Sequence, residues 1–249
     1  MRTKKKTIVV MPAYNAAETL EKTVDDLPKG LVDEVILVDD ASTDETVKIA
    51  KNLGLTVFIH RKNKGYGGNQ KTCYRKALEK GADILVMVHP DYQYDSSLTG
   101  ELIKPILAGR FELMFGSRIR TRKEALGGGM PWYKYFLNRL LTPIENMILG
   151  VNFSEHLSGF RAYKREVLEK LPLEKFSDDF VFDQQLMVSA IAAGFKVGEI
   201  PVPVRYFSES SSIRFIKGGK FLAQTFWTLF LFLLFRLGIY RSEIFRFKK

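Results

Sequence analysis

Residues 34–54, EVILVDDASTDETVKIAKNLG, decide how this chain is read. Residues 34–40 are nearly all apolar until a closing pair of carboxylates, Asp39 and Asp40, as expected of a strand buried on both faces. Residues 43–53 then take up a helical pattern that Gly54 stops. Ser42 with Glu45 fits a capping box at the helix entry. That box leaves unexplained two consecutive carboxylates at the C-terminal end of a strand. There they can accept hydrogen bonds from a base or ribose, as an acidic residue does in dinucleotide folds. Both roles are expected together.

The same alternation extends outward. Strands are expected over 7–13, 55–60, 83–89 and 111–115, and helices over 17–27, 68–80 and 97–108. Apolar strands alternating with helices predict an α/β fold, a mostly parallel sheet flanked by helices. In such sheets ligands sit beyond the carboxyl ends of the strands. The candidate segments are therefore 12–15, 39–44, 60–68, 89–93 and 116–118. Past these, 118–131 (RIRTRKEALGGGMP) reads as a mobile basic loop and 132–149 as an apolar-aromatic helix. Strands follow at 158–164 and 195–201, with a helix over 180–193. The best division falls near 210, between a catalytic-looking body (1–210) and a basic, apolar C-terminal segment (211–249) suited to a membrane.

The chain has 249 residues, 46% hydrophobic and 27% charged, which excludes a disordered chain, a collagen and a disulfide scaffold. A lone cysteine, Cys73, forms no internal bridge and fits a reducing compartment. Lys+Arg 38 against Asp+Glu 28 leaves +10, which calls for an anionic partner. No nucleic-acid recognition motif accompanies the charge, so phosphates or a membrane surface are expected instead. No secretory signal is read at the start, where the apolar run 7–11 is short and β-branched.

Three further segments carry chemistry. His89-Pro-Asp91-Tyr-Gln93 offers two oxygens and a nitrogen to a hard cation, Mg²⁺ or Mn²⁺, beside substrate phosphates. Residues 62–69, KNKGYGGN, are Gly-rich, basic and helix-preceding, which suits an anion, although the P-loop spacing is absent. Arg118, Arg120, Arg122 and Lys123 cluster where a phosphate or pyrophosphate could be clamped. His60 and His156 have no partners at ligand spacing and default to structural roles.

Together these segments resemble a family-2 inverting glycosyltransferase with the GT-A fold, from about residue 7 to 206. PAYNAAETL, VDDASTDET, NKGYGGNQ, HPDYQ, GSR, SGFRAY and FDQQLMVSAIAAGFKVGEIPV fall in the family's order, and GSR and SGFRAY are similar to the polyprenyl-phosphate sugar synthases. The resemblance implies that Pro12, Tyr14, Asn15, Asp39, Asp40, Asn63 and Gly65 hold the nucleotide, and that Asp91, Gln93 and His89 hold the metal. It implies that Arg118 meets phosphates, that Ser158, Gly159 and Arg161 line the acceptor side, and that Arg205 lies near a late phosphate-binding arginine. Asp183 stands for the late acidic residue, as a catalytic or a structural group.

Three departures bear on chemistry. His89 replaces the first Asp of the metal motif, Ala16 replaces an acidic residue, and Gln185 falls where many relatives carry a Glu that serves as base. A missing base is tolerable for an already ionised phosphate acceptor and damaging for a sugar hydroxyl. The expected partners are thus a nucleoside diphosphate sugar, a polyprenyl or dolichyl phosphate and a membrane surface. A sugar nucleotidyltransferase is the rival enzyme, but PAYNAAE lacks its Gly-rich basic signature. A non-catalytic or soluble-acceptor family member is the other rival. Residues 221–235 hold no charge and are flanked by cations. At about 1.5 Å per residue such a helix falls short of the roughly 30 Å hydrocarbon core, so in-plane or peripheral association at the cytosolic face is expected. The same pattern would also serve two helices packing on each other or pairing in a homo-oligomer.

Overall fold

Strand β1 (Thr7–Ala13) has neither face free: Ile8 and Val10 enter one core, Val9 and Met11 the other, all at 0% exposure. The computed structural model describes residues 5–119, 121–203 and 215–248, the side chains of 215–217 excepted. Around β1 stand β2 (Glu34–Asp39), β3 (Thr56–Ile59), β4 (Ile84–Met87), β5 (Leu113–Ser117), β6 (Arg161–Lys164) and β7 (Val197–Pro201). They form a seven-stranded sheet in the order β3-β2-β1-β4-β6-β5-β7. The pairs β1–β2, β1–β4, β2–β3 and β5–β7 are parallel, and β6 is antiparallel to both neighbours.

Helices α1 (Leu20–Asp25) and α4 (Thr99–Leu107) cover one face through Leu20, Leu102, Ile103 and Ile106. Helices α3 (Tyr66–Glu79), α8 (Phe182–Ala192) and α9 (Phe215–Arg236) cover the other through Cys73, Tyr74, Leu186, Met187, Leu229 and Phe232. Helices α2 (Thr46–Asn52), α5 (Arg122–Gly127), α6 (Trp132–Leu149) and α7 (Arg165–Lys170) complete the described set. The fold is GT-A: a mixed, mostly parallel sheet between helical layers.

Two local expectations change, and one placement had no expectation. Strand β6 lies between β4 and β5; a four-residue strand reached after long helical excursions carries no signal of direction. Its antiparallel run sets Arg161 opposite Met87, so the start of β6 and the end of β4 share one sheet edge. The loop expected over 118–131 contains α5, capped by Thr121 Oγ1, which accepts from Glu124 N at 3.1 Å. The Ser42–Glu45 capping box does not form. Ser42 Oγ instead accepts from Asn15 N (2.8 Å), and Asp44 Oδ1 accepts from Thr46 N (3.1 Å) at the start of α2.

The last helix is longer than its charge-free run, 22 residues. At about 1.5 Å per residue that is about 33 Å, enough for a hydrocarbon core. Its contacts set it against the body. Lys220 pairs with Asp179 at 2.8 Å near one end. Beyond the other end, Ile244 and Phe245 are buried, and Lys248 N donates to Lys170 O at 2.8 Å. Both ends are thus bound to one body, and α9 lies along it. The division expected near 210 falls outside the described residues; from Leu229 on, the chain shares the body's core.

Three non-glycine residues with positive φ close the strand ends that face one edge: Asn15 (50°) after β1, Ala41 (63°) after β2 and Tyr92 (55°) after β4. Strain of this kind concentrates at functional loops. For an alanine, the left-handed region costs about 1–2 kcal/mol. Ala41→Gly is therefore expected to stabilise the chain by about 1 kcal/mol, seen as a higher urea midpoint at unchanged slope. A lowered midpoint would show that the Ala41 methyl contributes more than its backbone costs.

Candidate active site

On the β2 side the two aspartates divide. Asp40 accepts at Oδ1 from His60 Nδ1 (2.7 Å) and Lys64 N (2.9 Å), and at Oδ2 from Gly65 N (3.1 Å). Asn63 Nδ2 donates to Asp40 O at 3.1 Å, and Asn63 Oδ1 accepts from Gly65 N at 2.9 Å. Gly65 has φ +83°, and a Cβ there would meet Asp178 O at 2.9 Å. His60 reaches on to Thr72 Oγ1 at 3.0 Å. Asp40, Asn63 and Gly65 therefore cross-link the end of β2 to the entry of α3. The Asp40 carboxylate is buried and hydrogen-bonded within the protein.

Asp39 differs. Its Oδ2 accepts from Ser42 N at 3.1 Å, while its buried Oδ1 has no hydrogen-bond partner. Tyr14 beside it is 56% exposed. Asn15 Oδ1 accepts from Thr43 N at 2.9 Å, and Pro12 sits in the sheet opposite Val38.

Past β4, Asp91 Oδ1 accepts from Gln93 N at 3.1 Å, and Gln93 is buried. The His89 ring stacks on Tyr66 (5.3 Å, 8°), and its Nε2 is 3.2 Å from the Tyr66 hydroxyl. That hydroxyl donates to Asp183 Oδ2 at 2.6 Å. Burial, then Asp183, pushes the Tyr66 phenol well above its usual range. The start of β6 closes the pocket: a Cβ on Gly159 would lie 2.8 Å from His89 Nε2. Among the described residues no three His, Cys, Asp or Glu side chains group as a metal cage. An imidazole and a carboxylate still fit Mn²⁺, and less well Mg²⁺, where substrate phosphates supply the remaining ligands.

A cavity of about 700 Å³ opens beside these residues. His89, Asp91, Gln93, Gly159, Asp183 and Arg118 are part of its lining; Leu137, Leu141, Leu157, Phe221 and Leu222 help make that lining largely apolar. Arg118 Nη2 donates to Glu155 Oε2 (2.6 Å) and to Leu157 O (3.0 Å), and Asn138 also donates to Glu155. Lys134 lines the cavity as well; burial, then Arg118, lowers its pKa.

On the acceptor side, Arg161 is 0% exposed and its donors go to the carbonyls of Ser158, Asp183 and His156 (2.6, 2.7 and 3.3 Å). Ser158 is likewise at 0%, directed at Tyr94. Gln185 accepts from Ser177 N at 2.7 Å and is not among the lining residues. Arg205 and Arg120 lie outside the described residues. Tyr66, Lys134 and Glu155 were not singled out from the sequence. The one available signal was an aromatic inside the Gly-rich KGYGG turn.

A mostly parallel sheet whose strand ends gather acidic loops, a buried unpartnered carboxylate and a cation-suited motif defines a nucleotide-dependent α/β transferase. The chain belongs to glycosyl transferase family 2, whose family model matches residues 8–172. It is 29% identical over 215 residues to UDP-N-acetylglucosamine–dolichyl-phosphate N-acetylglucosaminyltransferase of Methanococcus voltae, covering 80% of this chain and 85% of that one. It is 30% identical over 213 residues to polyprenol monophosphomannose synthase of Mycolicibacterium smegmatis, covering 81% and 78%. In fold it is similar to glucosyl-3-phosphoglycerate synthase of Mycobacterium tuberculosis solved with Mn²⁺, UDP and phosphoglyceric acid (TM-score 0.70, 23% identity, covering 96% and 80%). That enzyme has also been solved with Mg²⁺ and UDP.

Glu145 of α6 is buried and accepts from Gln184 Nε2 of α8 at 2.5 Å. Burial pushes its carboxyl up to about 8, with Glu155 adding to the rise. A folded-state pKa above the unfolded one gives stability that is full below about 4.5 and is lost as pH rises through about 8. Glu145→Gln keeps an acceptor for Gln184 and removes the titration. The variant should gain on the wild type across that window, by up to about 1.4 kcal/mol per pH unit, in denaturation curves at stepped pH. Parallel curves would show Glu145 ionised in the folded protein.

Proposed function

We propose that this glycosyltransferase moves a sugar from a nucleoside diphosphate sugar to a polyprenyl phosphate, with inversion at the anomeric carbon. The observation that carries this is the apolar cavity joined to the His89–Asp91 motif, with Arg118 and Lys134 beside it. An acceptor with a phosphate head and a hydrocarbon tail matches a lining that holds both cations and apolar side chains. Two neighbouring cations, one of them partly desolvated, favour an incoming anion. The printed names of the Methanococcus and Mycolicibacterium relatives support the same acceptor class.

In this mechanism Asp39 and Tyr14 hold the base or ribose, and the Asp40 cross-link shapes the loop beneath. Arg118, fixed by Glu155, and Lys134 receive the acceptor phosphate. An acceptor oxygen attacks the anomeric carbon, and the bond to the diphosphate breaks on the opposite face. The acceptor is already ionised, so no protein base is required, consistent with Gln185 being turned to the backbone. A divalent cation held by Asp91 and His89 would offset charge on the departing diphosphate. Trp227, Phe226 and Phe230 of α9 and Trp132, Phe136 and Leu140 of α6 are exposed, and they seat the cavity at a membrane surface on the cytosolic side.

Asp39→Asn should weaken UDP or GDP binding by about tenfold, the loss of one charge-assisted bond. Asp40→Asn should chiefly lower thermal stability. Equal nucleotide affinity in wild type and Asp39→Asn would remove Asp39 from the donor site. The reaction itself is tested by offering UDP- and GDP-sugars with Mn²⁺ or Mg²⁺ to polyprenyl phosphate and to a soluble phosphorylated acceptor. The expected product is a glycosyl lipid of inverted configuration. Transfer only to the soluble acceptor overturns the lipid assignment. In parallel, wild type should float with anionic liposomes and the variant Trp227→Glu, Phe230→Glu should float less. Equal flotation would place the membrane contact elsewhere.

A further inference from the structure

The Tyr66 hydroxyl stands between His89 and Asp183, and its hydrogen bonds fix the state of the imidazole. It carries one proton, directed to Asp183 Oδ2 at 2.6 Å. Toward His89 Nε2, at 3.2 Å, the same oxygen can therefore only accept. The neutral imidazole of His89 thus has its N–H at Nε2 and its lone pair at Nδ1. No hydrogen bond to Nδ1 is made among the described residues, and His89 lines the cavity together with Asp91.

The ring cannot readily turn to exchange its nitrogens. Tyr66 is stacked on one side by His89 and on the other by Phe180 (4.8 Å, 29°). Gly159 approaches His89 Nε2 closely enough to exclude any side chain. Metal-binding histidines characteristically donate the non-ligating N–H to a carboxylate, carbonyl or water, which sets tautomer and orientation. Here a tyrosine hydroxyl is interposed between the imidazole and the carboxylate.

We propose that Tyr66, backed by Asp183, is the positioning residue that makes His89 an Nδ1 ligand for the cation carried by the nucleotide diphosphate. This rests on the reaction proposed above for its cation and nucleotide, but the tautomer does not. The arrangement accounts for a histidine in the place of a carboxylate: its lone pair is usable only because Nε2 is occupied. It also gives the tyrosine of the KGYGG turn a task at the metal motif, linking the nucleotide loop to the cation.

The test is Tyr66→Phe, which keeps the ring stack and removes one oxygen. Its first readout is the imidazole ¹⁵N spectrum of the metal-free, nucleotide-free full chain in mildly alkaline buffer, with the His89 signals identified by their loss in His89→Ala. Wild type should show the Nε2–H form, and Tyr66→Phe a mixture of tautomers. The second readout is UDP affinity with and without Mn²⁺. The gain conferred by Mn²⁺ should fall by about tenfold or more in Tyr66→Phe, in line with the loss of other groups that orient metal ligands, while metal-free UDP affinity is unchanged. A purely structural tyrosine would lower thermal stability and move neither readout, and that result overturns the proposal. So does an Nδ1–H form in wild type. A tautomer change without Mn²⁺-dependent UDP binding in wild type would instead count against the cation of the proposed reaction, leaving Tyr66 as the residue that orients His89.

Discussion

The site depends on a guanidinium that water does not reach. Arg161 is fully buried, where an isolated charge would cost several kcal/mol even after relaxation. Burial works against its proton, but Asp183 and the surrounding tyrosines outweigh burial, and the pKa is raised. Its bonds to the carbonyls of His156, Ser158 and Asp183 join the segment before β6 to the first turn of α8. With β6 antiparallel and Arg161 opposite Met87, that segment arrives beside the end of β4. Gly159 then meets His89, and Asp183 meets Tyr66. One buried cation thus registers the late part of the chain against the early loops.

Carboxylates in this protein are divided by what surrounds them. Asp40 is saturated by two backbone amides and a histidine, and so serves as a cross-link. Asp39, one residue earlier, keeps an oxygen that is buried and unpartnered, a costly state unless a ligand completes it. Glu155 neutralises and orients Arg118. For Glu145, burial pushes the carboxyl pKa up to about 8. Composition alone does not separate these cases, because each depends on which amide or guanidinium the fold brings within three ångströms or so.

The parallel half of the sheet was legible because β1, β2 and β4 are apolar on both faces and end in polar loops. The gathering of 12–15, 39–44 and 89–93 at one edge followed from strand direction alone, and the positive φ of Asn15, Ala41 and Tyr92 marks those same loops. The position of β6 was not legible, since four residues do not reveal their neighbours. Nor were the protein partners of Asp40 and Arg161: a motif shows that a charged group is wanted, not which amides or carbonyls the fold brings to it. Tyr66 was hidden because its partners lie 23 and 117 residues away.

The C-terminal helix shows why a charge-free run resisted assignment from pattern. Three surfaces make demands on α9 at once. Phe221 and Leu222 line the cavity, Leu229 and Phe232 join the core, and Trp227 and Phe230 point outward, Trp227 at 58% exposure. A helix apolar in every direction is ordinarily read as a membrane span or a core helix. Here the return of the chain to Lys170 ties the segment after the helix to the body, and the outward aromatics are unlike a simple core helix. Covering large apolar side chains is worth about 1.5–3 kcal/mol each, so in the proposed reading the few on this face would help hold the body at a bilayer. Because the same helix walls the cavity, the surface proposed to meet lipid and the space proposed to take a lipid acceptor belong to one element. An acceptor tail leaving the cavity along α9 would then pass into the bilayer without exposing its length to water.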